Sequence, residues 1–416
     1  MKLTIPIAAV AVALSGVSAL PIQAGVQDLA STTGFAGSIF TTLTSSFKHM
    51  FSARLIQTAP DQQPYWTTEM GKQILWYRGI HFMDLTDTPT LGQINAALAQ
   101  ANPSSSFVKD GSKFPESVSH QKQLKRVFQD ISQDGPRAHL EKFTSFHTRY
   151  YKSETGRQSQ AWLLSTVSDL VKNHSDFIKV EEFPHPWGQN SILLKIKASD
   201  KRLTDKKGVT ILGAHQDSTN LFPFFAAPGA DDDGSGTVTI IEALRVLLLS
   251  HWRPESDVEL HWYSAEEGGL LGSQAVAQAY ERKGIKVHAM LQQDMTAFVK
   301  TGTKETVGLV ADFVSQPLTK FIGMLVDNYL DIGYTHTKLG YAGSDHASWT
   351  KIGADSAFAI EATFENSNLK RIHTTQDTFD HPEFSFEHLM QFVRLSASFV
   401  VELAGWSEVE RREGVN

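Results

Sequence analysis

Cysteine is missing altogether from this chain of 416 residues. No disulfide can brace it, no thiolate can act as nucleophile, and a structural zinc site of the usual cysteine-rich kind is excluded. A bound metal would have to be held by imidazole and carboxylate, a donor set that suits a catalytic rather than a structural zinc centre. Basic charge is also scarce: 38 Lys and Arg stand against 45 Asp and Glu, giving a net charge of −7 and a pI near 6.1. That balance excludes the electrostatic footprint expected for a nucleic-acid or anionic-membrane partner. Beyond the N-terminus no run reaches the ~20 apolar residues of a membrane-spanning helix. There is no Walker loop, dinucleotide fingerprint or internal repeat, and Gly234-Ser235-Gly236 alone makes no phosphate cradle.

With 41% hydrophobic and 20% charged residues, the composition is that of a globular protein able to bury a large core without disulfides. The first residues read as a secretory signal: Met1 and Lys2, an apolar stretch from Ile5 to Leu14, and small-residue cleavage sites after Ala19 or Ala24. A secreted, extracellular protein is therefore expected. Asn173-His174-Ser175 is an acceptor triplet for N-glycosylation in such a pathway. From Leu20 to about Lys113 the sequence mixes Ser/Thr-rich and Gln-rich stretches and reads as a separate, loosely built segment. From Phe114 to Asn416, strand and helix patterns alternate, which predicts one α/β domain with a mixed, mostly parallel central sheet flanked by helices.

Strands are expected at 209–215, 257–265, 287–294, 307–312 and 357–362, and helices at 237–250, 316–330 and 383–403. The first three strands end on ligand-type residues: His215, the Glu266-Glu267 pair and Asp294. Open α/β sheets place their sites at such carboxyl ends. Taken singly, each motif has a plain structural reading. His215 followed by Asp217 could be a strand-end hydrogen bond, Asp231-Asp232-Asp233 an acidic turn capping a helix, and Glu266-Glu267 a charged loop. Adjacent carboxylates repel unless cations or donors compensate, and a pair of metal ions would resolve that conflict. The spacing therefore points to a two-zinc hydrolase with His215, Asp232, Glu267, Asp294 and His373 as metal ligands. Asp232 bridges in this reading, Asp217 holds the second nitrogen of a ligand imidazole or plays a nearby structural role, and Asp233 caps the following helix. Of Glu266 and Glu267, one binds and the other acts as general base on water. His336, His346, His381 and His388 are expected at the surface or behind the ligands.

Read together, APGADDDGSG, AEEGGLLGSQ, MLQQDMT, GSDHAS, IHTTQDT and KFTSFHTRYYKSETG (142–156) resemble the M28 family of two-zinc aminopeptidases, especially the secreted fungal leucine aminopeptidases. GIHFMDLTD (79–87) is similar to the propeptide of that group. The resemblance implies a zinc-peptidase-like fold and two zinc ions. It places Asp232 between them, Glu267 and His373 on one, His215 and Asp294 on the other, and Glu266 as general base. Tyr341 and Ser344 would lie in a loop that stabilises the reacting carbonyl and bound water. After the signal over 1–19, the resemblance also implies a propeptide over 20–113 acting in cis and a catalytic domain over 114–416, expected to work as a monomer. The substrates would be peptides and proteins with a free N-terminus, with leucine or another apolar residue first. One departure is visible: Leu339 and Gly343 stand where relatives often carry a cysteine pair, so the Tyr341 loop lacks that brace. The competing enzymes on this fold are zinc carboxypeptidases, deacylating amidohydrolases and glutaminyl cyclases, and a further alternative is a non-catalytic binding protein that has lost its ligands.

Overall fold

In the computed structural model, residues 50–101, 114–222 and 224–408 are described. The signal region and the boundary near Lys113 lie outside them. The core is an eight-stranded mixed sheet built from β1 (Ile178–Phe183), β2 (Ser191–Ile196), β3 (Val209–His215), β4 (Val258–Tyr263), β5 (Val287–Gln293), β6 (Val307–Val310), β7 (Tyr334–Thr337) and β8 (Ser356–Ile360). Their order across the sheet is β7-β6-β8-β5-β3-β4-β2-β1. The four central strands β8, β5, β3 and β4 run parallel, while β6, β2 and β1 join through antiparallel pairings. All four central carboxyl ends therefore open on the same edge.

Helices α1 (Glu154–Val171), α2 (Gly236–Leu249), α3 (Leu271–Lys283), α4 (Gln316–Tyr329) and α5 (Phe386–Ala404) cover the sheet. Helix α2 carries Val238, Ile241, Leu244 and Leu248 into the main hydrophobic cluster beside Trp262 of β4. Truncating one of these leucines to alanine would cost roughly 2–5 kcal/mol. The alternation in β4 predicts one polar face, yet all six residues are buried. The polar face satisfies itself: His261 bridges Glu259 Oε2 at 2.8 Å and the Tyr263 hydroxyl at 2.9 Å, and Tyr280 donates to Glu259. Trp349 closes the chain on Tyr263 at 2.9 Å.

Residues 53–101 differ from the loosely built segment expected of them. Ala53–Gln57, Tyr65–Thr68 and Met83–Asp84 form a small antiparallel sheet, and Glu69–Tyr77 a helix capped by Thr68. They belong to one compact unit with the rest of the described chain from Ala53 onward. Polar residues that look like linker composition are used as anchors. Lys72 Nζ, almost fully buried, reaches Asp84 Oδ2 and the Gly268 carbonyl, both at 2.7 Å. The Asp84 amide donates to Gly269 O at 3.0 Å. Glu281 of α3 accepts the amides of Gly92 and Asn95, each at 3.0 Å.

Candidate metal centre

Strand ends bring the expected residues together. His215 closes β3, Glu266 and Glu267 follow β4, and Asp294 follows β5. Asp232 lies in the turn before α2, and His373 in a loop before α5. His215 Nε2 is 3.0 Å from Asp232 Oδ1, while His373 Nε2 is 2.9 Å from Asp232 Oδ2. One carboxylate thus offers a separate oxygen to each imidazole. Glu267 Oε2 stands 3.0 Å from His373 Nε2, and Asp294 Oδ1 stands 3.6 Å from His215 Nε2. The result is two triads sharing Asp232: His215, Asp232 and Asp294, and Asp232, Glu267 and His373.

These residues fit zinc. Bonds of 2.0–2.1 Å in a tetrahedral shell set neighbouring donors about 3.3 Å apart, and the spacings run from 2.9 to 3.6 Å. Glu267 Oε1 and Asp294 Oδ1 are buried without a hydrogen-bond partner, an unusual cost unless a cation meets them. The electrostatics agree. Burial pushes the Glu267 carboxyl up to about 7, with His373 opposing and Asp232 adding to the rise. Burial alone would lower His373, but Glu267 and Asp232 hold it up at about 10. Burial also raises Asp232, yet His215 and His373 outweigh it and keep that carboxyl far below the ordinary range. The Asp232 carboxylate is thus held in its charged form by the adjacent His215 and His373, the role that a bound dication takes over.

Glu266 stands in neither triad but lines the same cavity of about 470 Å³ as Asp232, Glu267, Asp294 and His373. Burial, with Asp345 and Glu267 adding and His215 opposing, pushes its carboxyl well up. The far wall of the cavity is apolar: Met295, Leu339, Phe358, Ile360 and Ile372.

The other expected residues fall out as follows. Asp217 accepts the amides of Glu266 at 3.0 Å and Glu267 at 3.2 Å, and its Oδ1 lies 3.5 Å from His215 Nδ1. Asp233 accepts the amides of His215 at 3.0 Å and of Gly236, the first residue of α2, at 2.8 Å. Ser344 donates to Asp294 Oδ2 at 2.6 Å. Tyr341 is not brought to the triads; its hydroxyl donates to Met83 Sδ at 2.9 Å and Gln57 Oε1 at 3.3 Å. Where relatives would have a cysteine pair, Leu339 folds over Gly343, so that a Cβ there would meet Leu339 Cδ2 at 2.9 Å. Asn173 is exposed in the turn Lys172–His174. His346 and His388, expected at the surface or behind the ligands, are both buried; His388 bridges Glu305 and the Glu361 carbonyl, each at 2.8 Å.

Sequence reasoning missed four participants. Asp377, fully buried, accepts the amide of Asp231 on one oxygen at 3.0 Å and that of Asp232 on the other at 3.1 Å. Its place in the IHTTQDT block, four residues after His373, is the one signal that could have marked it. Asp231 turns away from the triads to accept from Ala297 at 3.2 Å and Asn368 at 3.0 Å. The three adjacent aspartates are thus separated by their donors as much as by any metal. Arg149, fully buried, donates to the carbonyls of Gln216 and Gly229 at 2.9 and 2.8 Å and to Pro228, tying the His215 segment to the Asp232 segment. Finally, Trp76 of the N-terminal segment stacks on the His373 ring, centroids 4.3 Å apart.

Residues 191–398 match the model of peptidase family M28. Leucine aminopeptidase 1 of Phaeosphaeria nodorum is 46% identical over 361 residues, covering 84% of this chain and 88% of that protein. Leucine aminopeptidase 1 of Sclerotinia sclerotiorum is 47% identical over 363 residues, again 84% and 88%. Among solved structures, the LapA aminopeptidase of Legionella pneumophila superposes with a TM-score of 0.72 at 26% identity, covering 87% of this chain and 97% of that one.

Proposed function

The chain belongs to peptidase family M28 and is a zinc-dependent aminopeptidase, and from that premise we propose a secreted enzyme that uses two zinc ions and Glu266 as general base. It removes N-terminal residues from peptides and proteins, favouring leucine and other apolar side chains. The observation that carries this reading is the division of Asp232, one oxygen to each triad at 3.0 and 2.9 Å.

His215, Asp232 and Asp294 hold one ion, and Asp232, Glu267 and His373 the other. When bound, zinc supplies Lewis acidity that polarises a carbonyl and lets water lose a proton near neutral pH. Glu266 takes that proton and returns it to the departing amine. Asp217 keeps Glu266 and Glu267 apart by gripping their amides with different oxygens. Ser344 fixes Asp294, and Tyr341 helps to stabilise the reacting carbonyl once its hydroxyl leaves Met83 and Gln57. The apolar wall of the cavity receives the first side chain.

The protein is a zymogen in this reading. Export removes residues 1–19 or 1–24, the propeptide extends to about Lys113, and Trp76 on His373 lets it act in cis. The mature enzyme, 114–416, is a monomer glycosylated at Asn173. Among the described residues no helix is long and apolar enough to cross a membrane.

The test is Glu266→Gln. Zinc content by atomic absorption is expected to stay at two per chain while kcat on leucine anilide falls at least ~100-fold. Near-full turnover with both ions in place would remove Glu266 from its role.

A further inference from the structure

A loop with unusual surface chemistry leaves the site. Leu221, Phe222, Phe224 and Phe225 are 37%, 64%, 89% and 57% exposed, four apolar side chains that an isolated surface would not favour. The exposure is built in. Asn220 Nδ2 donates across the loop to Ala226 O at 2.7 Å, its Oδ1 accepts the Phe222 amide at 2.9 Å, and the Phe225 amide returns to Phe222 O at 3.0 Å. The two rings of Phe222 and Phe225 meet edge to face, centroids 5.9 Å apart.

The loop is also attached to the reaction centre. The Leu221 amide donates to the His373 carbonyl at 3.0 Å. Leu221 lines the cavity that holds the triads, and Phe225 lines the adjoining cleft beside Glu267. An exopeptidase encloses the residue it removes and leaves the remainder of the chain to exit. The enclosed apolar wall belongs to Phe358 and Ile360, at the end of β8 beside the strand that delivers Asp294. The open apolar rim is tied instead to His373.

Resting on the aminopeptidase reading, we propose that Leu221, Phe222 and Phe225 form the subsite for the residue after the scissile bond, and that they select an aromatic or large aliphatic side chain there. This makes the enzyme a reader of two residues, the first through the cavity and the second through the rim. Phe222 and Phe225 are specificity residues with no part in bond cleavage.

The experiment measures kcat/KM of the zinc-loaded protein, as secreted by its expression host, on leucine amide and on Leu-Phe, Leu-Leu, Leu-Gly and Leu-Asp amides. Wild type is expected to favour Leu-Phe over Leu-Gly by about tenfold, equivalent to about 1.4 kcal/mol. The exposed pair Phe222→Ser with Phe225→Ser is expected to erase that preference while leucine amide and Leu-Gly amide change less than twofold. Equal rates on all four dipeptides in wild type overturn the subsite, and so does a loss in the variant that is uniform across substrates. A change seen only on intact proteins or in the presence of lipid vesicles overturns it too, since the rim is then a general docking face. No hydrolysis even of leucine amide by wild type would instead remove the aminopeptidase reading, and the subsite with it.

Discussion

Replacing Asp377 with asparagine removes one of two acceptors from beneath Asp232 while leaving shape unchanged. In the native arrangement the two oxygens receive the amides of Asp231 and Asp232 at 3.0 and 3.1 Å in a fully buried position. The asparagine carbonyl can keep one of these bonds, but its NH₂ must face the other N–H, donor against donor. A buried amide left without an acceptor costs roughly 1–3 kcal/mol. Part of that is offset, because burial and the neighbouring Asp231 and Asp232 push the Asp377 carboxyl well up and asparagine carries no charge to repel them. A net loss of about 1–2 kcal/mol is expected, read as a lower urea midpoint at constant slope. The larger effect falls on the metal. Asp232 places one oxygen in each triad, so a shift of its peptide disturbs both at once, and loss of such an outer partner typically weakens metal binding or activity 10–100-fold. Competition against a chromogenic chelator measures the zinc affinity, and leucine anilide hydrolysis measures kcat. Asp377→Asn with wild-type zinc affinity and wild-type kcat, whatever its midpoint, would refute the argument and leave Asp377 as a fold contact only.

Two further outcomes are expected. In the unprocessed chain, Trp76→Ala removes the ring stacked on His373 and should raise the rate on leucine anilide roughly two- to tenfold, the worth of an aromatic contact; equal rates before and after substitution would show that Trp76 does not obstruct the site. His185 stacks on Trp187 with centroids 4.5 Å apart, and burial lowers its ring to about 4 from 6.5. The unfolded chain then binds a proton that the folded one refuses, so stability is full above pH 6.5 and declines as pH falls toward 4, by at most about 3 kcal/mol. Urea midpoints for His185→Phe should fall less than wild type across that window, and parallel curves would discard the assignment.

The parts that were legible in the sequence are those where one residue type has one job. Strands β3, β4 and β5 announce themselves as apolar runs, and the residues ending them are ligand types, so the carboxyl-edge site follows from topology alone. The division of Asp231, Asp232 and Asp233 was legible only in part, because the donors that separate them come from Ala297, Asn368 and His215, distant in sequence. Arg149 was invisible for a related reason: a cation that binds three backbone carbonyls leaves no complementary side chain to pair with it on paper. Nor does composition mark the ligand turns. Ala265, Met295 and His373 all adopt left-handed backbone without being glycine, beside Glu266, beside Asp294 and at a ligand itself. Each is costly by about 1–2 kcal/mol, and the fold imposes it. The N-terminal segment reads as linker because Lys72, Asp84 and Gln57 are polar, yet those are the residues that anchor it.

Those anchors separate two events that a peptide-bond cut would otherwise merge. While the chain is continuous, Trp76 faces His373 at the effective concentration of a tethered partner, on the order of millimolar or above for a short link. A cut near Lys113 abolishes the tether but leaves untouched the buried Lys72–Asp84 pair, the Gly268 and Gly269 contacts and the amides held by Glu281. If the chain is processed there as proposed, the severed fragment would remain as a non-covalent ligand with its own residence time. Activity after cutting would then appear at the pace of fragment dissociation, or of its further digestion, and not at the pace of the cut.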